Sequence, residues 1–142
     1  MKGILFCFLL FFLFACNHIE TGDSLPKSEK EYIRGLNLLD ENENIYKFYS
    51  EYKMKVAGNF FTDKRIAKYW IDEYDKEKDQ IVFSFYKDIK FIDTIYHAGA
   101  TYTPYMLITK TDGSTFKVSV DGKKEEVKSF FEDALNLWRQ RR

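Results

Sequence analysis

The chain has 142 residues, and 22 Lys and Arg balance 22 Asp and Glu to a formal net charge of zero. That balance excludes a broad nucleic-acid surface, which needs a clustered excess of basic side chains. Only two histidines (His18 and His97) and two cysteines (Cys7 and Cys16) are present, too few in any one part of the chain for a multi-histidine or thiolate metal cluster.

The N-terminus comes first. Met1-Lys2-Gly3 precedes an unbroken apolar run from Ile4 to Ala15, twelve residues long. A helix of that length reaches roughly 18 Å, whereas the bilayer core is about 30 Å thick and takes about 20 residues to cross. The layout, with a basic start, a short greasy core and a small residue at its end, reads as an export signal removed from the mature chain.

The end of that run, "LFAC", resembles the lipoprotein box of bacteria, with Leu13, Ala15 and Cys16 matching and Phe14 standing where a small residue is usual. The resemblance implies cleavage before Cys16, acylation of its thiol and anchoring in a bilayer, because several acyl chains hold firmly where one holds marginally. An ordinary secreted protein and a retained N-terminal anchor are the alternatives. Lipidation at Cys16 implies a bacterial cell membrane or outer membrane location, with the folded part periplasmic or extracellular. Cys7 is lost with the signal, so no intrachain disulfide is expected. The expected organisation is a signal peptide at 1–15, a lipidated cysteine and flexible tether at 16–28, and a single domain at 29–142.

Tyr32, Ile33, Leu36 and Leu39 recur at helical spacing, with Gly35 inside the run, and predict a short helix. "NIYKFYSEYKMKVAGNFF" predicts two strands: Ile45, Lys47 and Tyr49 alternate with Tyr46, Phe48 and Ser50, and a turn is expected near Gly58-Asn59. Further strands follow, separated by turns at Asp63-Lys64 and Asp75–Asp79, with Lys64 and Arg65 starting a strand on its wet side. In "QIVFSFY", Ile81, Phe83 and Phe85 share one face, and Val82, Ser84 and Tyr86 the other. Asp112-Gly113 marks a tight hairpin, after which Phe116, Val118 and Val120 point to the core. From Lys123, Val127, Phe131, Leu135 and Trp138 form the stripe of a long amphipathic helix, capped by Asp121 or Gly122, with Phe131 and Trp138 covering the sheet.

The segments "LLDENENIYKFYS", "FFTDKRIAKYWI", "YKDIKFIDTIY", "ITKTDGSTFKVSV" and "EEVKSFFEDALNLW", in this order, resemble the bacterial pleckstrin-homology-like domains over residues 36–139. The resemblance implies a mainly β fold: a bent antiparallel sandwich or partly open barrel, a C-terminal α-helix plugging one end, and a short N-terminal helix. It implies no activity, because function on such a fold resides in grafted sites. The basic cluster by which phosphoinositide-binding members of the wider family hold their ligand is absent around Lys53-Met54-Lys55.

No catalytic set emerges. His97 lies in the loop "YHAGATYTP" without a partner constellation, the serines lack a Gly-x-Ser-x-Gly context, and Asp72, Glu73 and Asp75 alternate with lysines as a solvated turn does. The most suggestive surface is the same loop, where Tyr96, His97, Tyr102 and Tyr105 offer aromatic contact. The expectation is therefore a non-enzymatic envelope lipoprotein without cofactor or metal. It would hold a protein or small ligand near the bilayer to which Cys16 ties it. A structural envelope role, or a small hydrolase using His97 and a carboxylate, are the alternatives.

Overall fold

The computed structural model describes residues 18–97 and 102–142. Eight strands and two helices follow one another as β1 (Glu20–Thr21), α1 (Lys27–Gly35), β2 (Ile45–Tyr49), β3 (Ala57–Thr62), β4 (Arg65–Trp70), β5 (Gln80–Phe85), β6 (Ile89–Ile95), β7 (Tyr105–Lys110), β8 (Thr115–Ser119) and α2 (Lys124–Arg141). Single 3₁₀ turns at Lys76–Lys78 and Tyr86–Asp88 lead into β5 and β6. β1 to β5 form one antiparallel meander and β6 to β8 a second. Two open antiparallel sheets with a C-terminal helix make the mainly β arrangement with a closing helix that the sequence implies.

The core between the sheets is closed by α2. Phe61, Ile66, Met106, Ile108, Val118 and Val120 meet Phe130, Phe131, Ala134 and Trp138, all buried. The Trp138 indole N–H donates to the Ile89 carbonyl at 3.3 Å, so its one polar atom is satisfied inside the core. Phe131 and Trp138 thus cover the sheet as expected. The helix starts without the cap expected of Asp121 or Gly122. Lys123 occupies the cap position, and the Asp121 carboxylate accepts the Gly122 N–H at 2.9 Å instead.

A second core lies on the opposite face of the larger sheet. Ile33 of α1, then Leu38 and Leu39, pack with Leu25 on Ile45, Phe48, Phe60, Ala67 and Tyr69. β3 is therefore buried at every position, which is why alternation fails there: a strand covered on both faces has no wet side. The expected turn at Gly58-Asn59 falls inside this strand. Gly58 stands opposite Tyr69, and a Cβ at Gly58 would lie 2.4 Å from the Tyr69 ring, so the glycine makes room for an aromatic rather than for a turn. Asn59 is satisfied within the fold, its side-chain oxygen accepting the Ser119 N–H at 3.1 Å. The real reversal is 50–56, closed by Val56 N–H to the Lys53 carbonyl at 2.8 Å.

Three other expectations change. The tether does not extend to 28. β1 pairs with β2 at Glu20↔Phe48 and Thr21↔Lys47, and Leu25 is buried, so the folded unit takes in a stretch whose composition is polar. The simple alternation along β2 is broken by a register shift between Ile45 and Lys47, which puts Ile45 and Phe48 together in the second core and Tyr49 in the first. α1 ends at Gly35, and Leu36 and Leu39 follow it in a non-helical link where Asn37 takes φ +60°. The turn at Asp112-Gly113 forms as read, with Gly113 at φ +87° and the Asp112 carboxylate accepting the Ser114 N–H at 2.9 Å.

Candidate binding surfaces

The residues singled out from the loop "YHAGATYTP" differ in their surroundings. The Tyr96 ring packs on Phe131 with centroids 5.4 Å apart, which makes it a wall of the main core. Tyr105 pairs with Ile95 and Ser119 in the second sheet, and the Lys117 ammonium lies 4.5 Å from its ring centroid. His97 is exposed, and Tyr102 is 71% exposed. Residues 98–101 between them, and Cys16, lie outside the described residues. Among the described residues no group of three His, Cys, Asp or Glu side chains is placed to hold a metal, and no helix is long and apolar enough to cross a membrane.

Recesses open elsewhere among the described residues. The first, about 340 Å³, lies between α1, β1 and the start of β2, with Lys30 and Arg34 facing Asp23, Glu41 and Glu43. Charges of both signs line it, so it selects neither anion nor cation. The second, about 360 Å³, lies at the β3–β4 turn against the end of α2, where Asp63, Lys64, Lys87 and Arg141 surround Phe85 and Tyr86. Burial holds the Tyr86 hydroxyl in its protonated form and pushes its pKa well above the ordinary phenol range, and it donates to the Thr62 carbonyl at 2.6 Å. Its proton is thus committed to the fold.

The third recess, about 400 Å³, follows β5 from Ile81 to Phe85 and reaches Asp88 and Lys110. Among the described residues β5 pairs only with β4, and β6 only with β7, so the larger sheet ends at β5 with one row of backbone groups unpaired. The faces of β5 divide as the sequence indicated. Val82 packs toward the main core and Ser84 is buried, while Phe83 packs toward the second core and Ile81 is 44% exposed. Phe83 and Phe85 meet edge to face at 5.2 Å, and the Arg65 guanidinium lies 4.8 Å from each ring centroid.

Arg65 corrects the reading of "TDKR" as a turn followed by wet cations. Lys64 is exposed, but Arg65 is 2% exposed and forms a two-point pair with buried Glu43, Nε to Oε1 at 2.8 Å and Nη2 to Oε2 at 2.6 Å. Asp40 adds a contact to Arg65 at 3.1 Å. Its carboxyl is held below the usual range, chiefly by a hydrogen bond from Lys64. The cluster clamps the 38–44 link to the start of β4 and gives Phe83 and Phe85 a flat cation to lie on. Sequence reasoning passed over this edge, although "QIVFSF" carries the signal in its lack of any charged residue or proline.

No protein-family profile matches the sequence, and no curated protein matches it. Among solved structures, the chain is similar to a DUF1696 family protein with a pleckstrin-homology domain from Shewanella loihica PV-4. The two share 14% identity over 70% of this chain and 90% of that one, with a TM-score of 0.47.

Proposed function

We propose that this chain is a membrane-anchored bacterial lipoprotein, tied to the envelope through an acylated Cys16. Its domain is a non-enzymatic binding module, and its ligand is an extended segment of an envelope protein that adds to the edge of β5. The observation that supports this reading is the edge itself. Natural edge strands are blunted by charge, proline, bulges or brevity, whereas β5 is six residues long, regular in register with β4, and free of charge. Backbone donors and acceptors in a row select an extended partner, and apolar groups at alternate positions select its side chains. The Tyr96–Tyr105 loop is the competing surface.

The test places a photoreactive residue at Ile81 or at Tyr102 in the full chain in its native membrane. A discrete partner should crosslink from Ile81, and a synthetic peptide of the crosslinked segment should slow hydrogen exchange of the β5 amides. Ile81→Lys should weaken that peptide's binding by about tenfold or more, equivalent to about 1.4 kcal/mol. A partner captured from Tyr102 and not from Ile81 would move the site to the other loop. Loss of the cellular phenotype in His97→Ala with partner binding intact would favour the hydrolase. Cys16→Ser should abolish fatty-acid labelling of the chain.

A further inference from the structure

The pairing of β1 fixes where the anchored end leaves the fold. Glu20 stands opposite Phe48 and Thr21 opposite Lys47 in an antiparallel ladder. Backward from Glu20, the chain therefore runs beside the outgoing end of β2, toward the head of the 50–56 loop. The β4–β5 connection, 71–79, belongs to the same end. Ile71 N–H donates to the Val56 carbonyl at 2.7 Å, the Tyr69 hydroxyl donates to the Met54 carbonyl, and Lys53 pairs with Glu73 at 3.7 Å.

Cys16 and His18 are two positions apart in the sequence. Two residues span at most about 7 Å of fully extended chain, while a six-residue strand such as β3 or β4 is roughly 20 Å long. A thiol acylated in the bilayer therefore holds this end against the surface, and the Asp63-Lys64 turn at the other end of those strands stands off from it. The held end carries three of the large side chains that the fold leaves exposed, Tyr52 at 55%, Trp70 at 37% and Tyr74 at 96%. Tyrosine and tryptophan are the side chains that settle among lipid headgroups, apolar in body and polar at one tip.

Resting on the lipoprotein reading above, we infer that the end of the domain bearing Tyr52, Trp70 and Tyr74 docks on the bilayer surface, setting the larger sheet upright with the β5 edge open to the side. The charges around these rings are mixed, with Lys53, Lys55, Lys76 and Lys78 among Glu51, Asp72, Glu73, Asp75 and Glu77. The acyl chains supply the affinity, the rings supply the orientation, and salt has little effect on either.

The chain has two tryptophans, and Trp138 is buried in the core, so Trp70 reports on the contact alone. The full acylated chain, purified from membranes, is placed in vesicles of phosphatidylcholine with or without bromine near the top of the acyl chains. Trp70 emission is expected to be lost in brominated vesicles at low and high salt. That loss should vanish in Trp70→Phe and in Trp70→Phe with Lys64→Trp, whose new indole sits at the far end. Equal Trp70 emission in both vesicles, from a chain shown to carry its acyl groups, would overturn the orientation and leave the anchor standing. Quenching of the far-end indole would overturn it as well. A chain without acyl groups would remove the reading on which the orientation rests.

Discussion

Arg65 shows how far one residue's setting departs from what its type suggests. A cation after Asp63-Lys64 reads as solvated, yet its guanidinium is enclosed by Glu43, Phe83 and Phe85. Enclosing two opposite charges is tolerable because Nε and Nη2 of Arg65 both donate to a carboxylate; removing one partner strands the other. Glu43→Ala is expected to destabilise the domain by about 3–5 kcal/mol, read from urea unfolding. Replacing Glu43 and Arg65 together with apolar residues of similar size should cost much less than the single change. A double variant as unstable as the single one would show that the pair is not the unit. Gly58 makes the converse point: its value lies in what it lacks, because the Tyr69 ring fills the space of the missing side chain.

At the scale of elements, α1 and the leucines after it decide the character of the larger sheet. Without them Phe48, Phe60 and Tyr69 would present a greasy face to water. Ile33, fully buried, is the residue of α1 that closes this second core. Ile33→Ala is expected to cost about 2–5 kcal/mol, measured by denaturant midpoint, comparable with truncating a residue of the main core. A cost near zero would mean that α1 is a loosely held cover. This element was only partly legible. The spacing of Tyr32, Ile33, Leu36 and Leu39 pointed to a helix, but the helix stops at Gly35, and its partner face could not be read from a strand that is apolar on both sides. The polar run before it hid Leu25 and β1, because two residues of strand carry no period at all.

The whole molecule holds its two cores on opposite faces of one sheet, and tyrosines link them to the backbone. Burial raises the pKa values of Tyr69 and Tyr86 above the ordinary 10.0, while the unfolded chain keeps that value. A raised folded value favours the protonated form on folding. The contribution is therefore complete below about pH 10 and is lost as pH rises through the folded values. Phenolate absorbance should show these two rings ionising only together with the loss of near-ultraviolet circular dichroism. Tyr86→Phe should move that alkaline transition upward in pH while removing the hydrogen bond to Thr62. Ionisation of both rings with the fold intact would contradict their burial.

By itself the sequence determined the strand-rich class, the hairpin at Asp112-Gly113, the two faces of β5 and the closing helix with Phe131 and Trp138. Each of these is written locally, in a period or in a residue that a turn demands. Only the tertiary structure decided that Arg65 is enclosed, that Gly58 lies within a strand, that residues 20–25 belong to the fold, and that β5 is left as an edge. Those properties depend on which segments meet across long separations, and burial on a second face or a missing neighbour leaves no mark in local spacing.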